Sequence, residues 1–281
     1  MNSKLLAQYI LPHHALSWLV RKATRWTWRP WKRWLIARVI RSYAVDMSDA
    51  AQPDPECYPT FNAFFTRALR EGARHADPDL DALLCPADGR ISQCGRIEDG
   101  RILQAKGQTF TAAELLADEA SAATYRDGSF VTIYLSPRDY HRVHMPLDGQ
   151  LQHTAHVPGR LFSVAPFTVA AIPRVFARNE RLICHFLGPQ GPFVVAMVGA
   201  MLVSGVQTVW GGEEIPPYAS AIQRRDFTAD GPSLSRFAEM ARFNMGSTVI
   251  VLVPAGLQWA PNLAAETPTR LGQRLGRFVN Q

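Results

Sequence analysis

Phe243-Asn244-Met245-Gly246-Ser247-Thr248-Val249-Ile250-Val251-Leu252-Val253, about 35 residues before the C-terminus, joins a Gly-Ser step to an apolar run. The five mostly β-branched residues after Thr248 predict a buried strand. Gly246 gives the backbone unusual freedom at the strand mouth, and Ser247 places a hydroxyl beside a carbonyl with little steric cover. If a base removes the Ser247 proton, the oxygen can attack the Gly246 carbonyl, and the chain can cut itself. Read alone, Gly-Ser-Thr is simply a tight start to a strand. The rest of the chain decides between the two.

A chain of 281 residues with 47% hydrophobic and 19% charged residues can bury a sizeable core. Its net charge of +6 is unevenly spread. Nine basic residues (Lys4, Arg21, Lys22, Arg25, Arg29, Lys32, Arg33, Arg38 and Arg41) precede the first acid, Asp46, so the remainder is slightly acidic. Trp18, Trp26, Trp28, Trp31 and Trp34, five of the seven tryptophans, share this stretch. Tryptophan favours the water–lipid boundary, and each cation near an anionic leaflet contributes roughly 1 kcal/mol. Residues 1–48 are therefore expected to be a basic, Trp-rich helical segment that associates with a membrane surface. Nucleic-acid binding, an organelle transit peptide and plain helix packing are the competing readings of such a composition. Pro30 is expected to separate two short helices. On the second, Leu35, Ile36, Val39, Ile40 and Tyr43 share an arc on which Lys32 intrudes.

No stretch reads as a transmembrane helix, since Val194 to Val206 is too short to span ~30 Å. It reads as one or two buried strands, joined near Gly199 or Ser204-Gly205. Cys57, Cys85, Cys94 and Cys184 show no paired spacing, which predicts free thiols and a reducing, cytoplasmic setting. After a Pro-rich joint, Phe61 to Arg70 is expected to be a short helix with Phe61, Phe64 and Phe65 on one side. From Leu83 onward, short apolar runs punctuated by Gly, Pro and Asp predict a β-rich, mostly antiparallel catalytic domain over 49–281. Thr111 and Glu114 form a capping-box pattern within it. Residues 220–243 are ambiguous, and the tail after Pro254 reads as polar and partly loose. The fold class expected is α+β: N-terminal membrane-associated helices followed by a β-rich, largely antiparallel core.

Two further runs stand out. One is Tyr134-Leu135-Ser136-Pro137-Arg138-Asp139-Tyr140-His141-Arg142-Val143-His144-Met145-Pro146, and the other is Cys85-Pro86-Ala87-Asp88-Gly89-Arg90. With Met245-Gly246-Ser247-Thr248 they closely resemble phosphatidylserine decarboxylases of the bacterial pyruvoyl type. The resemblance continues in Phe61-Asn62-Ala63-Phe64-Phe65-Thr66-Arg67, in Pro158-Gly159-Arg160-Leu161-Phe162-Ser163-Val164 and in Phe176-Ala177-Arg178-Asn179-Glu180-Arg181. It runs from about Phe61 to Val253 in the family's order. Met245 stands where the family usually has leucine, a nearly volume-conserving change.

The resemblance implies roles for Asp88, His144 and Ser247. An imidazole can take a serine proton near neutral pH, and a carboxylate can hold its tautomer. His144, oriented by Asp88, would deprotonate Ser247, whose oxygen attacks the Gly246 carbonyl to give an ester. Elimination across the Ser247 Cα–Cβ bond then leaves dehydroalanine, which hydrolyses to a pyruvoyl group and ammonia. The products would be a β chain, 1–246, and an α chain, 247–281, which remain associated. The pyruvoyl ketone would condense with the amine of phosphatidylserine to a Schiff base and accept electrons as CO₂ leaves, giving phosphatidylethanolamine. This is the role pyridoxal phosphate fills elsewhere. Here no pyridoxal phosphate is expected, and of four lysines only Lys106 lies beyond the first 45 residues. His141 is a candidate for protonating the carbanion or positioning the carboxylate, and Phe162 and Ser163 are candidates for lining the substrate site. The resemblance also implies a homo-oligomer, no nucleic acid partner, and a peripheral location on the cytoplasmic side of the cell membrane.

His141 and His144, with Asp139 nearby, could also suggest metal ligands, but no third and fourth ligand stand at recognisable spacing, and no metal is expected. A lipid-directed serine hydrolase would use the same Asp88, His144 and Ser247, yet Asn244-Met245-Gly246-Ser247-Thr248-Val249 lacks the Gly-x-Ser-x-Gly elbow. A non-catalytic membrane-binding protein would account for the N-terminus and leave the other motifs unexplained.

Overall fold

The computed structural model describes residues 3–202, 205–245 and 248–279. Gly246 and Ser247, the expected cleavage pair, lie outside the described residues. The strand they lead into is Thr248–Val253, and every one of its residues is buried. It lies inside a nine-stranded antiparallel sheet, between Gly191–Val198 on one side and Ser129–Tyr134 on the other. Val249, Val251 and Val253 face one hydrophobic cluster, while Ile250 and Leu252 face a second on the opposite side. A strand covered on both faces needs apolar residues at every position, which explains the unbroken run. Each fully buried aliphatic side chain contributes about 1.5–3 kcal/mol.

The α+β class and the antiparallel core are as expected, and Val194 to Val206 contains parts of two strands, Gly191–Val198 and Val206–Thr208. The capping box at Thr111 is formed: its hydroxyl accepts from the Glu114 amide at 3.0 Å, and the Glu114 carboxylate accepts from the Thr111 amide at 2.8 Å. The helix at Phe61 is shorter than expected, Phe61–Phe65. Thr60 caps its start by accepting from the Ala63 amide, and Thr66 Oγ1 ends it by bonding back to the Asn62 carbonyl.

The tail departs most from expectation. Leu257–Trp259 and Arg274–Phe278 form a three-stranded sheet with Ala82–Leu84, and Pro268–Thr269 pairs with Gly89–Arg96 at the edge of the large sheet. Leu271, Leu275 and Phe278 are buried there. Local polarity hid these strands because Arg274–Phe278 and Pro268–Thr269 take partners almost 200 residues earlier in the chain.

The N-terminal segment contains three helices, α1 (Ser3–Ile10), α2 (His13–Thr24) and α3 (Arg29–Tyr43), with Pro30 in the first turn of α3 as expected. Ile36 packs with Tyr58, Phe61, Phe64 and Phe65 in a third cluster. Lys32 intrudes on that arc for a reason: its buried ammonium donates to the carbonyls of Glu56 at 2.8 Å and Tyr58 at 2.5 Å. Arg21 and Arg25 both pair with Glu213. His14 reaches the buried Glu180 at 3.3 Å, with His156 on the other carboxylate oxygen at 2.7 Å. The outward side of this segment mixes apolar and basic residues: Trp18, Trp26, Trp28 and Trp34 are each more than half exposed, alongside Leu6, Ile10, Leu19 and the exposed Lys22, Arg29, Arg33, Arg38 and Arg41. Among the described residues, no helix is long and apolar enough to cross a membrane.

Candidate active site

Asp88 sits where the Cys-Pro-Ala-Asp-Gly-Arg motif meets the C-terminal tail. Its Oδ1 accepts from the Leu271 amide at 2.8 Å and from Arg74 Nε at 3.0 Å, and Arg74 Nη2 lies 2.5 Å from Oδ2. Arg74 is held in turn by Asp49 at 2.7 Å. Gly89 follows because nothing larger fits: a Cβ there would stand 2.4 Å from the Tyr134 carbonyl oxygen. Cys85 is structural, its buried thiol lying 3.0 Å from the Ala87 carbonyl, with the Thr269 hydroxyl 3.2 Å from the sulfur.

His144 ends the short strand Arg142–His144, which pairs with Glu239–Phe243. Its Nδ1 lies 2.6 Å from the Phe237 carbonyl, and its Nε2 lies 3.0 Å from the Tyr140 hydroxyl. A carbonyl only accepts, so Nδ1 carries the proton and the Nε2 lone pair receives the Tyr140 O–H. Burial pushes the His144 pKa below its ordinary 6.5, which keeps the ring neutral at pH 7. Asp88 and His144 are not hydrogen-bonded to each other. Tyr140 is common to their surroundings: it lines one polar cleft with Asp88 while its hydroxyl holds His144. Sequence reasoning gave Tyr140 no role. Its position four residues before His144, in the most specific motif of the chain, was the signal available.

His141 has no exposed surface. Its Nδ1 lies 2.8 Å from the Asp139 carbonyl, its ring centroid is 4.0 Å from that of Phe65, and its Nε2 has no partner among the described residues. Burial drives its pKa down to about 3. A desolvated imidazole with a free lone pair is costly unless something uses it. The Phe243 amide donates to the His141 carbonyl at 2.9 Å, so His141 adjoins the segment that runs into Gly246. His144, by contrast, is paired with Glu239, four residues before Phe243.

Met245, the residue before Gly246, has φ +100°, a conformation that an unbranched side chain other than glycine's adopts at a cost of about 1–3 kcal/mol. It forms part of the wall of an apolar cavity of about 400 Å³ together with Tyr43, Phe65, Tyr134, Pro137 and Ser163. Ser163 therefore lies at this cavity. Phe162 does not line it; it is buried beneath α1 and α2, in edge contact with Tyr9 and His13 and below Arg160 and Arg178. The polar cleft, about 340 Å³, holds Asp88, Arg67, Arg138, Tyr140 and Arg270. The two spaces share walls: Tyr43 and Pro137 face the apolar one, Ala44 and Arg138 the polar one. Among the described residues, no group of three His, Cys, Asp or Glu side chains is arranged to hold a metal ion.

The family model described as phosphatidylserine decarboxylase matches residues 61–277, and a second, described as PSD, matches residues 3–44. A phosphatidylserine decarboxylase proenzyme of Xanthomonas euvesicatoria pv. vesicatoria is 62% identical over 271 residues, covering 96% of each chain. That of Stenotrophomonas maltophilia is 60% identical over 271 residues, covering 96% of this chain and 97% of its own. The chain belongs to the phosphatidylserine decarboxylase family.

Proposed function

We propose that this protein decarboxylates phosphatidylserine to phosphatidylethanolamine, using a pyruvoyl group that it makes from its own Ser247. Family membership carries the activity, and one structural observation carries the site. A neutral, fully buried His141 with an unused Nε2 lies beside the segment that enters Gly246-Ser247, and its ring packs on Phe65, which with Met245 and Ser163 walls the apolar cavity. These residues suit a carbonyl group at position 247: the surroundings exclude water, and an imidazole lone pair is available for a proton. The pyruvoyl carbonyl supplies the electron sink for loss of CO₂.

In self-processing, the Tyr140 hydroxyl turns away from His144 Nε2, which then takes the Ser247 hydroxyl proton, while the Phe237 carbonyl fixes the tautomer by accepting from Nδ1. Tyr140 links this imidazole to the cleft in which Asp88 is clamped by Arg74. Asp88 thus acts on His144 through its field, not by direct contact. In turnover, His141 takes up at Nε2 the proton that the substrate ammonium gives up on condensing with the ketone and passes it to the carbon that loses the carboxylate, and Ser163 contacts substrate. Phe162 contributes by seating α1 and α2 above that site. The paired spaces suit an amphiphile, with the apolar cavity taking the glycerol end and the polar cleft the headgroup.

The division into chains 1–246 and 247–281 is compatible with a single stable particle. The smaller piece contributes a central strand and three further strands, and its Leu271 amide binds Asp88. Denaturing mass measurement of the purified protein is expected to give two fragments, the smaller matching 247–281 with a blocked, amine-free start. Without denaturant, the fragments are expected to elute together. An intact chain in an active preparation would rule out this route.

The exposed tryptophans and cations of α1 to α3 support peripheral docking on the cytoplasmic leaflet. Removing residues 1–45 would also uncover the cluster around Ile36, so the surface is better tested by Trp18→Ala/Trp28→Ala. That variant is expected to fold normally and to sediment several-fold less with anionic vesicles. Unchanged sedimentation would argue against docking through this face. The 1–48 and 49–281 division and assembly into a homo-oligomer belong to the same reading.

A further inference from the structure

Arg67 closes the Phe-Asn-Ala-Phe-Phe-Thr-Arg motif and is only 5% exposed. Its guanidinium lies 5.4 Å from the Phe64 ring centroid, and Nη2 donates to the Arg138 carbonyl at 3.1 Å. Its Nη1 is buried and has no acceptor among the described residues. Neither does any carboxylate pair with it among those residues, although the neighbouring Arg74 is held by both Asp49 and Asp88. A buried guanidinium without a counter-ion is strongly disfavoured unless an anion arrives to complete it. Burial accordingly pulls the Arg67 pKa down. The side chain lines the polar cleft, where four arginines face four aspartates; Arg74 and Arg138 pair with Asp49, Asp88 and Asp139, and Arg67 pairs with none among the described residues.

We infer that Arg67 receives the anionic part of the substrate headgroup, its phosphate or its carboxylate, within this cleft. The inference rests on phosphatidylserine being the substrate. A planar guanidinium with free N–H groups suits either oxyanion, and the desolvated setting makes each hydrogen bond stronger than it would be in water. Arg67 also lowers the basicity of His141 by proximity. An anion bound to Arg67 would offset that effect, so headgroup binding would make His141 a better proton acceptor.

The test uses the full-length Ser247→Ala protein, in which neither cleavage nor turnover can occur, and calorimetry with glycerophosphoserine as probe. Adding Arg67→Lys, which keeps the cation and loses the fork, is expected to weaken binding about tenfold or more. Glycerophosphoethanolamine, with phosphate only, and free serine, with carboxylate only, separate the two anions: the one whose affinity drops is the group Arg67 holds. Arg67→Gln is the second variant, and thermal melting reports whether each is folded. Equal affinity in a folded variant overturns the inference. So does loss of fold in both variants, which would make Arg67 a structural residue. Absence of millimolar binding to the Ser247→Ala protein also overturns it. Lack of decarboxylation by processed wild-type protein would remove the underlying reading instead, and is measured separately.

Discussion

Ser247→Ala is expected to yield a single uncut chain of 31.3 kDa with no measurable decarboxylation of phosphatidylserine vesicles. The substitution removes the only atom that can attack the Gly246 carbonyl in this scheme, and with it the source of the ketone. Both losses must therefore occur together. The fold should survive, because the strand that follows is fixed from Thr248 onward by pairing with Tyr134 and Val198 and by burial on both faces. Thr248 offers the next hydroxyl along the chain. It cannot take over, being fully buried and held within the sheet. A melting temperature close to that of the wild type would confirm that lost activity reflects chemistry and not unfolding. A cleaved Ser247→Ala protein, or an uncut one that releases CO₂ from phosphatidylserine, would end the self-processing scheme.

How much was legible in sequence follows from the range of the interactions involved. The Thr248–Val253 strand could be read because burial on both faces demands an uninterrupted apolar run. The Thr111–Glu114 cap could be read because both of its hydrogen bonds close within four residues. The tail could not, since its strands are short and polar outward and join the rest of the fold through Ala82–Leu84 and Gly89–Arg96. Lys32 looked like an error on an apolar arc until the carbonyls of Glu56 and Tyr58 came within its reach.

The site shows the same division. Motif resemblance picked out Asp88, His141 and His144, but not how they are held. Asp88 depends on Arg74 and on the Leu271 amide, residues 14 before and 183 after it, and neither lies in a motif. Tyr140 lay in plain view within the motif, but its role needs a distance to His144 that spacing alone does not fix. The open Nη1 of Arg67 is likewise a property of what fails to surround it. Nothing in the local sequence encodes that.

The two histidines give the sharpest remaining separation. His144→Ala is expected to block processing and leave the full-length chain. His141→Ala is expected to process and then turn over phosphatidylserine about 10²–10⁴-fold more slowly, the usual span for loss of a general acid or base. Burial lowers both imidazole pKa values, that of His141 to about 3, so both rings are unprotonated at neutral pH. A base works in that form. Processing, followed as fragment appearance during cell-free synthesis, should therefore be flat above about pH 6.5 and slow only as acid protonates His144. The same burial has a cost in acid. The unfolded chain takes up a proton on His141 near pH 6.5 and the folded chain only near 3, so stability falls with pH across that window, and His141→Ala should lessen the fall. The strand ladder makes the opposite outcome informative too. Phe243, three residues before Gly246, bonds to His141, whereas His144 is paired with Glu239. If His141→Ala stays uncut while His144→Ala is cleaved, His141 is the processing base and the two roles must be exchanged.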